Sequence, residues 1–151
     1  MSSTWLQMNL AAQSKLGYGI NWIAMRYSDV LLMFAETENE LNGAPTAAAK
    51  EALKTVRARA FDAASQTEKV QQFVDALASK EDFFEAIVNE RAWEFGGEAI
   101  RKFDLIRWNL LQDKIEEQRT AFAAMLAGQP VSIMGNDYNA LPTAIYFKYK
   151  A

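Results

Sequence analysis

From Tyr27 onward, apolar residues return every three or four positions, a spacing that predicts helices rather than strands. Tyr27, Val30, Leu31, Phe34 and Ala35 form one stripe of a helix over 27–41. Leu32 and Met33 add apolar surface on its other sides. A helix that is apolar around much of its girth needs neighbours on more than one face. Asn42-Gly43 supplies a stop, and Pro45 follows it. Thr46 is placed to cap a second helix from Ala47 to about Ala60, with Leu53 and Val56 as its larger apolar side chains. The short turn between the two predicts a helical hairpin. Residues 62–78 read as a loop followed by a helix around Lys69 to Leu77. Ser79-Lys80-Glu81-Asp82 has the capping-box pattern. The helix it opens carries Phe84, Ile87, Val88, Arg91, Ala92 and Phe95 on one stripe, and Gly96-Gly97 ends it. Glu98 to Leu126 reads as helix again, with a break near Trp108-Asn109 and a later stripe of Leu111, Ile115, Phe122 and Met125.

The expected fold class is all-α: tetratricopeptide-like helical hairpins with an irregular N-terminal lead-in and an extended C-terminal tail. A single helical domain over 1–151 fits the length. Within it, 1–25 is lead-in, 26–127 helical and 128–151 an irregular tail, in which Ile145 to Lys150 alternates as a short strand would. No exact internal repeat is visible.

Composition narrows the chemistry. Half the residues are hydrophobic and 23% are charged, a globular balance. The net charge is −3 with bases scattered among acids, which argues against a nucleic-acid partner. With no Cys, thiolate nucleophiles and Cys-type zinc sites are excluded; with no His, the usual proton-transfer group near neutral pH is missing. Both absences weigh against an enzyme and against a metal or other cofactor. No apolar run reaches the roughly 18 residues of a membrane span. The opening residues show neither the basic nor the apolar region of a signal peptide, and no Cys is present to carry a lipid.

Carboxylates recur four apart at Glu36 and Glu40 and at Glu90, Glu94 and Glu98. A di-metal centre built this way normally adds Glu-x-x-His ligands, which are missing, and nothing in the spacing selects glycosidase chemistry. Ion pairing explains the pattern better. Arg26 and Asp29 lie three apart on one helical face, as do Asp104 and Arg107. Arg91 falls inside an apolar stripe, where a charge is costly unless paired. Buried or half-buried pairs are therefore expected between the first helix and the Glu90–Trp108 region. Their acids are Glu36, Glu90, Glu94 and Asp104; their bases are Arg26, Arg91 and Arg107, with Asp29 a further ion-pair residue beside Arg26. Trp93, Phe95, Phe103 and Trp108 are expected in the core. Trp5, Tyr18 and Tyr138, in polar contexts, are the candidates for a sugar platform. Gly96-Gly97 lacks the spacing of a phosphate-binding loop and reads as a helix stop.

Three stretches then converge. Arg26-Tyr27-Ser28-Asp29-Val30-Leu31-Leu32-Met33-Phe34-Ala35-Glu36, Leu53-Lys54-Thr55-Val56-Arg57-Ala58-Arg59-Ala60, and Glu90-Arg91-Ala92-Trp93-Glu94 with Arg101-Lys102-Phe103-Asp104-Leu105-Ile106-Arg107-Trp108 resemble, in order and spacing, motifs of the SusD/RagB family. The tail Leu141 to Tyr149 resembles it more weakly. The resemblance implies a helical scaffold of tetratricopeptide-like pairs. It also implies a lipid anchor, a place on the outer-membrane surface, and capture of glycans or other nutrients for a TonB-dependent, SusC-like transporter, without catalysis. Family members are several times longer, so the chain is expected to be a fragment whose exposed apolar surface associates with another chain or another copy. The matched motifs are scaffold motifs and carry no ligand contact. Two other readings compete: a tetratricopeptide-like protein-interaction domain with no small ligand, and, more weakly, an enzyme such as a glycoside hydrolase.

Overall fold

The computed structural model describes residues 24–133 and 136–138. Helix α1 spans Tyr27–Asn42 and buries Ser28, Leu32, Ala35 and Asn39. Most of the stripe read from the sequence does not face inward: Tyr27 is 73% exposed, Val30 43% and Phe34 44%, Leu31 is half-buried, and only Ala35 is buried. The correction has a physical reason. With apolar residues on nearly every side, hydrophobicity does not select a face, and packing does. Ser28 and Ala35 are small, which lets the next helix approach closely with its own buried Ala49 and Ala52. Asn39 is fully buried, and its Nδ2 donates to the Lys80 carbonyl at 2.9 Å, tying α1 to the start of a later helix. Gly43 ends α1 with φ of 67°, a left-handed backbone that favours glycine.

Helix α2 spans Ala47–Ala58 and folds back on α1 as a hairpin. Thr46 Oγ1 accepts from the Ala49 N–H at 3.1 Å, which satisfies one of the first turn's free donors. Beyond Ala58 the chain continues as turns to Phe61 rather than as helix to Ala60. The next segment opens two residues before the expected Lys69. It winds first as a π-helix, Thr67–Gln72, and then as α3, Phe73–Ala76. Val70 and Val74 anchor it, both fully buried.

Helix α4, Lys80–Glu94, is capped by Ser79, whose Oγ accepts from the Asp82 N–H at 3.0 Å. Its inward face is Phe83, Ala86, Ile87, Glu90 and Arg91. Phe84 instead meets Trp108 edge to face, with centroids 5.6 Å apart. Gly97 turns the chain with φ of 87°. Helix α5 spans Arg101–Arg107, left-handed Asn109 (φ 57°) breaks the path, and α6 runs Leu111–Leu126. Of the aromatics expected in the core, Phe95 is buried and Trp108 half-buried. Trp93 and Phe103 are exposed at 44% and 67%: Trp93 lies off the Phe83, Ile87 and Arg91 face of α4, and Phe103 lies off the Asp104 and Leu105 face of α5. After Pro130 the structure departs from an irregular tail: β1, Val131–Ile133, pairs antiparallel with β2, Asn136–Tyr138, Val131 opposite Tyr138. The lead-in 1–23 and the rest of the tail, including Ile145 to Lys150, lie outside the described residues.

The described chain is thus all-α apart from this hairpin. Its core joins Leu32 and Ala35 of α1, Leu53 and Val56 of α2, Val74 of α3, and Phe83 and Ile87 of α4, closed by Phe95. The assigned face of α1 sets an expectation for paired substitutions. Leu32→Ala should cost about 2–5 kcal/mol by loss of contacts and cavity formation. Phe34→Ala, on the outward face, should stay within about 1 kcal/mol. Urea unfolding of both variants checks this, and equal losses would place the core on the wrong side of α1.

Candidate functional site

The polar centre of the molecule follows from one fact of sequence: arginines stand at helical positions that tertiary packing turns inward. Arg91 lies on the inward face of α4 and is 4% exposed. Its Nη1 sits 2.6 Å from Asp29 Oδ1 of α1, and its Nε 2.7 Å from Asp104 Oδ2 of α5. The other oxygen of Asp104 accepts from Arg107 Nε at 3.0 Å. Arg107 in turn reaches Glu36 on α1, with Nη2 2.7 Å from Oε2. Trp108 Nε1 donates to the remaining Glu36 oxygen at 2.8 Å. A closed circuit results, α1 to α4 to α5 and back to α1, with both oxygens of Asp104 and of Glu36 engaged. Full use of acceptors is what makes a buried charge tolerable.

A second cluster ties the entry of α1 to the turn after α4. Arg26 has extended backbone at the N-cap of α1 (φ −113°, ψ 159°), so its side chain leaves the helix axis. Its Nη1 is 2.7 Å from Glu94 Oε1, and its Nη2 donates to the Glu94 carbonyl at 2.8 Å and to Glu98 Oε1 at 2.7 Å. Arg59 Nη2 also meets Glu94 Oε1, at 3.1 Å. The Phe95 ring lies beside both clusters, its centroid 4.9 Å from the guanidinium carbons of Arg26 and of Arg91.

A third pair holds the π-turn. Arg57 Nη1 is 2.7 Å from Glu90 Oε2, and both side chains are nearly buried. Arg57 Nε donates to the Lys69 carbonyl at 2.7 Å. The ring of Phe73 stacks under the same guanidinium at 4.2 Å, with Phe61 at 5.2 Å and Trp93 at 5.5 Å. A π-turn directs carbonyls differently from an α-turn, and here one of them meets a buried cation.

The eight charged residues singled out in the sequence therefore fall into these clusters, but not always with the expected neighbours. Arg26 and Asp29 do not pair with each other. The N-cap backbone sends Arg26 towards Glu94 and Glu98, and Asp29 meets Arg91 instead. Asp104 and Arg107 do pair across one helical turn. Glu90 pairs with Arg57, which the sequence reading did not single out, although Arg57 shares a helical face with Leu53 and Val56 and carried the same warning as Arg91. Arg59 lies at a helix end, where periodicity gives no signal; Glu98, the last of the four-apart acids, lies in a turn rather than on a helix. Trp5 and Tyr18 lie outside the described residues; Tyr138 is placed on β2 by its backbone.

Two of the carboxyls titrate away from the ordinary range, in opposite directions. Burial pushes Glu90 up, and the Arg57 hydrogen bond and charge only partly oppose it. Burial also acts to raise Glu94, but hydrogen bonds from Ser28 and Arg26 and the charges of Arg59 and Arg26 outweigh it and hold the carboxyl below its usual range. Arg107 is raised, chiefly by its hydrogen bond to Glu36. The arrangement fixes helices relative to one another. Each acid in these clusters faces a guanidinium, and no group of three metal-ligating side chains forms among the described residues.

Comparison with known proteins adds an independent finding. The model of the SusD family matches residues 3–144. The chain is 39% identical over 122 residues to the SusD-like protein P25 of Formosa agariphila, a match that covers 81% of this chain and 21% of that protein. The chain thus spans about a fifth of the length of this curated relative. No solved structure matches it.

Two outcomes follow from the clusters. Arg91→Ala strands Asp29, leaves Asp104 with Arg107 alone, and should cost about 3–5 kcal/mol in urea unfolding. Arg119→Ala, which breaks an exposed pair with Glu116, should cost at most about 1 kcal/mol. The carboxyls give a pH signature. A lowered folded-state pKa stabilises above the usual carboxylate range, and that stability is lost as pH falls through the folded value. Glu94→Gln should therefore lower stability at neutral pH and flatten its acid-side loss. A raised pKa works the other way: its contribution is fully present below the usual range and lost as pH rises through the folded value. Glu90→Gln should remove that decline just above the usual range. Unfolding free energies from pH 3 to 8 for the three proteins check both signs.

Proposed function

The chain belongs to the SusD family, and from that premise we propose that it is the helical support of a non-catalytic, surface-exposed glycan- or nutrient-binding protein of the outer membrane. In this reading the protein delivers its ligand to a TonB-dependent, SusC-like transporter. The observation that carries it is the family match across 142 positions, 3–144. The structure supports the mechanical part. Guanidinium–carboxylate circuits lock α1, α4 and α5 together, as a frame holding binding loops at fixed separations would require. Positioning of this kind needs no group that makes or breaks bonds. None of the described helices is long and apolar enough to cross a membrane; in this reading attachment is through a lipid anchor, as the family resemblance implies.

A second reading has one observation in its favour. Tyr27, Val30, Phe34 and Leu41 form an exposed apolar face of α1, and such surface suits contact with protein. It supports association of this chain with another copy or another chain, whether or not a glycan is also bound.

Two measurements test these readings. In the protein that carries this chain, calorimetric titration with oligosaccharides should show binding, and affinity purification from outer membranes should recover a TonB-dependent transporter. Binding of peptides alone, with no sugar bound and no transporter recovered, would favour the interaction domain. For the 151-residue chain, light scattering should show mass rising with concentration, and Phe34→Glu should abolish the rise. A monomer at all concentrations would remove the second reading.

A further inference from the structure

Helix α6 buries none of its residues. Between it, α5 and the end of α4 runs an open cleft of about 590 Å³, walled by Ala92, Leu105, Ile115 and Phe122, with Arg101 among its lining residues. Arg101 is half-buried at the start of α5. It donates one hydrogen bond, from Nη1 to the Val88 carbonyl at 2.7 Å. It forms no ion pair among the described residues. The two acids whose charge reaches it are already taken: Asp104 by Arg91 and Arg107, and Glu117 by Lys114. Burial lowers its pKa; Asp104 opposes that and Arg91 adds to it. A half-buried guanidinium with unused donors beside an apolar cleft is a site built for a carboxylate.

The chain places no acid of its own on Arg101. Neither 1–23 nor 139–151 contains an Asp or Glu, so every acidic side chain lies among the described residues, and none pairs with Arg101. The apolar surface also extends further than a small carboxylate needs. Along α6, exposed Ile115 and Phe122 continue to Leu126. A second cleft, lined by Ile106, Leu111 and Ile115, opens on the helix's other flank. A surface of that length, open on both sides, suits an extended or helical polypeptide.

We infer that the α5–α6 cleft is a docking groove for a polypeptide segment from outside these 151 residues, one that presents an Asp or Glu side chain to Arg101 between apolar residues seated against Leu105, Ile115 and Phe122. The matched part is about a fifth of the SusD-like protein P25, so most of that relative's chain lies outside the match and includes candidates for such a segment.

The test uses the purified 151-residue chain and fifteen-residue peptides tiled across the unmatched sequence of the SusD-like protein P25. A subset should bind, each member holding an acid flanked by aliphatic or aromatic residues. Their affinity should fall at least about tenfold when the acid is replaced by its amide, and by a similar factor with Arg101→Gln, with partial recovery in Arg101→Lys. Phe122→Ala, on an exposed helix face, should weaken binding without altering the circular dichroism spectrum; it carries the test if Arg101→Gln disturbs the fold. The proposal is overturned if no tiled peptide binds, if binding ignores Arg101 and Phe122, or if hexanoate displaces the peptides at equal concentration, which would make the cleft a small-molecule pocket.

Discussion

A guanidinium cannot leave water without a partner, and most of the described architecture is arranged around that requirement. Removing an ion from water costs several kcal/mol even after relaxation, and only near-complete hydrogen bonding returns it. Arg91 meets the condition with two carboxylates from two different helices. Once Asp29 and Asp104 are committed to one cation, α1 and α5 have little freedom to slide past α4. Asp104 then spends its second oxygen on Arg107, which carries the constraint back to Glu36. The apolar core supplies most of the driving force, but Leu32, Ile87 and Phe83 would tolerate several helix registers. The charged circuit tolerates far fewer, because a shift of one residue would strand a buried charge.

The same logic explains the π-turn. Nothing in Thr67–Gln72 demands a wide helix on propensity grounds. Widening it places the Lys69 carbonyl 2.7 Å from Arg57 Nε while keeping Val70 and Val74 buried. Arg57 also needs Glu90, whose carboxyl is raised by its own burial. Three elements therefore share one cation: α2 provides it, α4 neutralises it, and the π-turn completes its hydrogen bonds.

Sequence reasoning reached the helices because period and punctuation agreed at their ends: Thr46 and Ser79 cap, and Gly43, Gly97 and Asn109 turn with positive φ. It missed which face of α1 turns inward, since Leu31, Leu32, Met33 and Phe34 cover adjacent directions and only close approach by Ala49 and Ala52 decides. It missed the π-turn, which answers to a side chain on another helix. For the charged clusters, a cation inside an apolar stripe was the readable sign, present at both Arg91 and Arg57. Pairing was less readable, because the partners of Asp29 and Glu36 sit 62 to 72 positions away and a single N-cap dihedral redirects Arg26.

At several of the described positions burial runs against the usual pattern in a way that bears on the chain's use. Arg57, Glu90, Arg91 and Asp104 are inside, while Tyr27, Val30, Phe34, Phe103 and Ile106 are outside. A free-standing globule of this size gains by the opposite distribution, since each exposed apolar side chain forgoes about 1.5–3 kcal/mol of burial. This arrangement suits a frame whose joints are internal. The buried ion pairs set the spacing of the helices before anything docks, so the outer faces of α1 and α6 can stay apolar without losing their shape. The stability of the frame and the availability of its surfaces then depend on different residues, and a substitution that disables one can leave the other intact.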